Sequence, residues 1–416
     1  MGGLAAALFQ HHQHAFAAGL CLFGIIWIGM IATTTTTAMA TTTKTGGRGS
    51  QPFSKRIRLP ELNPIGLPAG DTENLRRDYS QRIETVYTND LGSAEAWVEK
   101  HLGMSHRNAD SDPLILGWDT ESTPYLPWLE HRYDSGTYFG PATIQLGTPT
   151  SSLVLQVAED GFGPIHEGGL PSFLSDVLED PGIIPVGVGL DDDMVELYRW
   201  CLDIEQTNGG DGPPTPAWAG GETDNGSDSD KILRRFDMGG IGSSIPGRTT
   251  GLAKLVLGIL GVELVKTKKL SRTHWSTPPP LRPAEVSYAA RDAWAGAAIM
   301  ERLGDLDPGR FSPAAIGEAL ERQLPGDGDE NGSGNDRHQH GVLRGIREVS
   351  DRKIVRAGLR KEWKEMKNPL DEDGNEKPKW TEAEHERNKV LQVEMRKLAP
   401  TPPMVYEIKE SLGIGN

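Results

Sequence analysis

The chain reads as an α/β fold, a mixed β-sheet flanked by helices, and three observations predict it. Short apolar runs of strand length recur at Leu114–Thr120, Ala142–Gly147 and Leu153–Ala158. A fourth run, Ile183–Leu190, passes directly into the helical pattern MVELYRW. A long, alanine-rich helical pattern follows later, AEVSYAARDAWAGAAIMERL. Strands that alternate with helices in this way belong to layered α/β domains.

Taken in order, Ala94–Leu102 carries helical spacing. The strand Leu114–Thr120 is apolar until a carboxylate near its end, and strand side chains alternate between faces, so Asp119 and Glu121 share one. The next two runs are expected to pair antiparallel with it and open the sheet. Ile183–Leu190 reads as a buried strand, and the helix after it sets Asp191, Asp192 and Asp193 at its mouth. A helix is expected over Leu252–Val262. In the last helix Tyr288 and Asp292 stand four apart, on one face.

Each of these acidic features is weak alone. A lone pair of carboxylates is usually solvated, and an acidic run at a helix start is accounted for by the helix dipole. Together they describe one chemistry. Phosphodiester hydrolysis must gather a water, neutralise charge on the phosphate and stabilise the departing oxygen, and two divalent ions about 3.5–4 Å apart do all three. Hard oxygen ligands suit Mg²⁺ or Mn²⁺. Crowded carboxylates repel and raise each other's pKa unless a cation sits among them. A tyrosine hydroxyl within hydrogen-bond reach can orient the water.

The segments GWDTE, GVGLDDDMVEL and YAARDAWAG resemble the three motifs of the DEDDy 3′-5′ exonucleases, and most of all the exonuclease domain of the Werner syndrome helicase. Ribonuclease D and the proofreading exonucleases are more distant in likeness. The resemblance runs from about Leu114 to Leu303. It implies a ribonuclease H-like mixed sheet of five strands and a 3′-5′ exonuclease that uses two Mg²⁺ or Mn²⁺ ions to release nucleoside monophosphates from DNA or RNA 3′ ends. It also implies Asp119, Glu121, Asp193 and Asp292 as metal ligands and Tyr288 as the residue that orients the water. Asp193 is chosen over Asp191 and Asp192 because Gly187, Gly189 and Leu197 then fit the family spacing, with Asp192 the one-residue alternative. Pro185 stands where relatives often carry a basic residue. The rival reading is a catalytically silent nucleic-acid-binding module of the same fold.

The net charge of −15 is adverse to a nucleic-acid partner, but its distribution is not uniform. From Lys231 to Ala290 ten Lys or Arg stand against three Asp or Glu, a local +7. Lys266, Lys268, Lys269 and Arg272 cluster ahead of the third motif as candidate phosphate contacts. Trp275 and Trp294 are expected to pack in the core. Two cysteines, Cys21 and Cys201, exclude a disulfide framework, and no phosphate-binding GxxxxGK[ST] loop occurs.

The first charged residue is Lys44, and Ala15–Ala32 is an uncharged stretch of 18 residues. That is near the lower limit for a spanning helix. It reads as a membrane anchor, a cleaved organelle-targeting leader, or the product of a misplaced start, and otherwise a nuclear or cytoplasmic location follows from the resemblance. The organisation expected is therefore 1–43 apolar segment and Thr-rich linker, 44–93 flexible tether, 94–305 exonuclease domain with an acidic insertion at 207–230, 306–340 disordered linker, and 341–416 charged, partly helical tail.

Overall fold

A computed structural model of the protein describes residues 52–59, 83–108, 111–122, 140–158, 170–207, 216, 218–219, 233–241, 250–322, 345–367 and 380–397. All lie in one compact unit, Ser50–Asn416. Ala15–Ala32 and the insertion from 208 to 215 and 220 to 230 fall outside the described residues. Among the described residues no helix is long and apolar enough to cross a membrane.

The sheet is mixed and has seven strands: β1 (Ser54–Arg58), β2 (Glu84–Thr88), β3 (Leu114–Ser122), β4 (Pro141–Gly147), β5 (Ser151–Gln156), β6 (Ile183–Gly187) and β7 (Phe236–Asp237). Their spatial order is β1-β2-β5-β4-β3-β6-β7. Five strands were expected. β1 and β2 extend one side of the sheet and β7 the other, and SKRIR and ETVYT are too short and polar to announce themselves. They also correct the expected tether at 44–93: β1 pairs antiparallel with β2, and β2 parallel with β5. The residues around them are well buried, with Leu59 and Tyr87 each 1% exposed.

β3 occupies a central position, antiparallel to β4 and parallel to β6. β6 ends at Gly187, three residues short of the expected limit, because Gly189 takes φ +80 in the turn into the next helix. That helix, α3 (Leu190–Thr207), follows α1 (Leu91–Leu102) and α2 (Ser172–Glu179). These three cover one face of the sheet in a core that includes Trp97, Trp118, Leu174 and Met194. The other face is covered by α4 (Pro283–Leu306) and by the helical turns Leu252–Leu255 and Val256–Leu260, the latter of π type. The result is a three-layer sandwich.

Three more helices follow. The linker expected from 306 is instead helical at its start. A turn at Pro308–Phe311 leads to α5 (Pro313–Glu321), with Ser312 capping Ala315 and with Ile316 and Leu320 fully buried. The tail contains α6 (Ile346–Lys367) and α7 (Glu382–Lys397). Ile346 and Val349 of α6 join the core on the α3 side.

α4 is placed by its smallest residues. Proline at its first turn and the Glu285 carboxylate, which accepts from the Arg282 backbone N–H at 2.8 Å, fix its start. Ala293, Gly296 and Ala297, spaced three and four apart, then lie on the sheet. A Cβ added at Gly117 of β3 would fall 1.8 Å from the Ala293 carbonyl oxygen, and one at Gly147 of β4 would fall 2.4 Å from the Ala293 carbonyl carbon. Helix and sheet backbones meet directly there. We expect Gly117→Ala or Gly147→Val to cost about 3 kcal/mol or more, since backbone cannot yield as a flexible side chain does. Gly251→Ala, where the added carbon meets open space, is expected to leave the urea midpoint within about 0.5 kcal/mol of the parent. A parent-like midpoint for Gly117→Ala would contradict this packing.

Candidate metal centre

The strand β3 carries Asp119 and Glu121 on one face of its last turns of pleat, and the close approach of α4 brings Asp292 against them. Each of the three offers a carboxylate oxygen, and these oxygens lie within 4.8 Å of one another. Asp193, in the first turn of α3, stands beside this triad. Its Oδ1 accepts from the Thr120 hydroxyl at 2.8 Å, and the charge of Asp119 acts on it.

The three consecutive aspartates have separate partners. Asp191 pairs with Arg235 at 2.5 Å, and the exposed Asp192 pairs with Lys353 of α6. Asp193 is the one directed toward Asp119. Tyr288 is buried, with its hydroxyl hydrogen-bonded to Asp292 and its ring centroid 5.9 Å from that of Trp275. Trp275 and Trp294 are both core residues, and Trp294 Nε1 donates to the Pro149 carbonyl at 2.9 Å.

Of the four basic candidates, Lys266 goes to the carboxylates. Its Nζ lies 2.6 Å from Asp292 Oδ2 and 5.5 Å from the centre of the Tyr288 ring. Lys268, Lys269 and Arg272 are exposed on the following turn. A cleft of about 360 Å³ opens over the site, lined by Trp118, Asp119, Asp292, Val188, Leu252 and Lys266. This is within the range of about 300–1,000 Å³ found for ligand pockets.

The electrostatics follow from crowding. Burial, then the charge of Asp292, pushes Asp119 up to about 8. Burial, then Asp119, pushes Glu121 up to about 10. Asp193 is raised by burial and by Asp119, while Asp292 rises only to about 6 because Lys266 offsets the burial. Lys266 itself loses hydration, yet Asp292 and Asp119 carry it above the usual lysine range. Tyr288 is held far above the ordinary phenol range, by burial first and then by the three carboxylates, so it remains a donor.

A divalent cation fits this donor set. Asp292 Oδ1 is buried and has no hydrogen-bond partner, which is a costly state for a carboxylate oxygen. The candidate ligands are all hard oxygens, and the cation that reaches them among the described residues is the flexible Lys266 ammonium. Two contributors lie within the motif segments but are not among the candidate site residues read from the sequence. Glu196, three residues after Asp193, accepts from Ser122, and Thr120 fixes Asp193. The signal for both is the small hydroxyl residues interleaved with Asp119 and Glu121 in DTES, which place polar groups at a strand end otherwise built from apolar residues.

No protein-family model and no curated protein matches the chain. Among solved structures, NrnC from Brucella melitensis is similar at 15% identity, over 50% of this chain and 81% of that one, with a TM-score of 0.31. The catalytic core of RRP6 from Trypanosoma brucei is similar at 13% identity, over 84% of this chain and 79% of that one, with a TM-score of 0.35. Likeness at this level carries no activity from one chain to the other.

Raised carboxylate pKa values mean that the folded, metal-free protein binds protons more tightly than the unfolded chain. Their contribution to stability is therefore fully present below the unfolded value of about 4, and is lost as pH rises through the folded values. A divalent cation binds the deprotonated cluster. The melting temperature gained on adding excess Mn²⁺ to chelator-treated protein is expected to be larger near pH 8 than near pH 5, reaching about 2–3 kcal/mol of stabilisation at hundredfold saturation. Calorimetry at both pH values checks this, and a gain that shrinks with rising pH would contradict it.

Proposed function

We propose that the chain is a divalent-metal-dependent 3′-5′ exonuclease of the DEDDy type, which hydrolyses phosphodiester bonds at nucleic-acid 3′ ends and releases nucleoside monophosphates. The observation that carries the reading is the meeting of Asp119, Glu121 and Asp292 within 4.8 Å, with Asp193 and Tyr288 beside them. All five residues come from the three motifs that resemble that family, and two of them, Asp119 and Asp292, line the cleft.

In this reading Asp119, Glu121, Asp193 and Asp292 would hold two ions of Mg²⁺ or Mn²⁺. Bound there, the ions supply Lewis acidity toward the phosphate and lower the pKa of water. The protein's part is placement. Thr120 keeps Asp193 turned inward, and Asp292 holds the Tyr288 hydroxyl in a protonated state facing the carboxylates. That hydroxyl would orient the attacking water. Lys266 holds Asp292 and compensates the acidic cluster. It also leaves a cation at the rim as a phosphate arrives.

Removing the Asp119 carboxylate takes away one of the proposed ligands while leaving the helix-to-sheet contact intact. Asp119→Asn is expected to lower hydrolysis of a 5′-labelled oligonucleotide in Mn²⁺ by about 10³-fold or more with little change in melting temperature. Tyr288→Phe is expected to lower kcat by about 10²–10⁴-fold with a smaller effect on KM. Products shortened from the far end establish polarity, and matched DNA and RNA give the sugar preference. Digestion by Asp119→Asn as fast as by the parent removes the assignment.

A further inference from the structure

The tail helix α6 does more than cover the core. It packs antiparallel on α3: Arg199 Nε bonds Ser350 Oγ at 3.1 Å, and Lys353, further along α6, pairs with Asp192, nearer the start of α3. Antiparallel packing carries the remainder of α6 past the N-terminus of α3, at the end of the sheet where Asp193 and Asp119 stand. The stretch from Ile354 to Lys367 extends it by about 20 Å.

The side chains on that extension are sorted by charge. Lys353, Arg356, Arg360, Lys364 and Lys367 follow one another at intervals of three and four, and so form one stripe that continues the α3-facing side of the helix. Arg356, Arg360, Lys364 and Lys367 are exposed. The acidic residues of this stretch are engaged elsewhere, Glu362 by Arg387 of α7 and Glu365 by Lys361. No carboxylate among the described residues pairs with Arg356, Arg360 or Lys364. The Lys367 ammonium lies 4.3 Å from the centre of the Trp363 ring. α7 holds this helix beside the stripe, through the Trp363–Asn388 hydrogen bond at 2.9 Å and the Glu362–Arg387 pair, so the stripe is presented on a supported helix.

We infer that this stripe is a rail for the sugar-phosphate backbone of the nucleic-acid strand whose 3′ end enters the carboxylate cleft. The inference rests on the exonuclease reading and adds to it the path of the strand. A polyanion is the occupant because Arg356, Arg360 and Lys364 have no carboxylate partner among the described residues of a chain of net charge −15, and the stripe they continue starts at Lys353, which pairs with Asp192 next to Asp193. At about 3.4 Å per nucleotide, 20 Å of helix spans on the order of six phosphates. The rail therefore acts on long strands and not on the shortest ones.

The test uses the full chain and the triple variant Arg356→Gln, Arg360→Gln, Lys364→Gln, with thermal melting to verify folding. In chelator, affinity for an oligonucleotide of about 20 nucleotides is expected to fall about tenfold or more, and the slope of log K against log salt to shrink by about two. In Mn²⁺, kcat/KM on that oligonucleotide is expected to fall while turnover of a dinucleotide stays at the parent value. Unchanged affinity for the long strand, or equal losses on long and short substrates, overturns the rail. Because the binding arm needs no catalysis, a parent chain that cleaves nothing sinks the exonuclease reading alone.

Discussion

The distance between the backbone of α4 and the backbones of β3 and β4 governs the rest of the molecule. Gly117 and Gly147 leave no side chain between the sheet and Ala293, and Gly296 repeats the arrangement against the Val186 carbonyl. Asp292 immediately precedes Ala293, so the same contact that closes the core delivers a carboxylate to the strand bearing Asp119 and Glu121. A methyl group at either strand glycine would collide with the Ala293 backbone and force helix and strand apart. Packing and function thus share one set of residues, and the small side chains of α4 serve both.

That closeness has an electrostatic consequence. Burial and mutual repulsion lift Asp119, Glu121 and Asp193 well above the ordinary carboxylate range, and an unpartnered oxygen on Asp292 adds a desolvation cost. A core designed only for stability would place apolar residues there. The protein instead keeps the acids and surrounds them with devices that hold them in place: Thr120 on Asp193, Ser122 on Glu196, and Lys266 and Tyr288 on Asp292. Perturbed acids gathered in a cleft mark functional sites, because the strain is relieved by what binds.

Much of this was legible in the sequence where the signal was local. β3, β4 and α4 could be read from apolar runs of the right length and period, and the shared face of Asp119 and Glu121 follows from strand geometry alone. What was not legible is non-local. β1 and β2 are short, polar and held by partners far along the chain, so their strand character comes from the sheet. Pro308–Glu321 reads as a polar linker until Phe311, Ile316 and Leu320 find the core. The fates of Asp191, Asp192 and Asp193 depend on Arg235, Lys353 and Thr120, each more than 40 residues away. Lys266 reads in sequence like Lys268, Lys269 and Arg272, and only the fold brings its ammonium to Asp292.

The central claim is that acids from separate elements converge into a seat for divalent cations. Anomalous scattering from crystals grown with Mn²⁺ tests it directly. The account expects peaks bounded by Asp119, Glu121, Asp193 and Asp292, with Asp292 Oδ1 now a ligand. Peaks confined to other parts of the surface, or none at the cluster with the Lys266 ammonium still on Asp292, would contradict it.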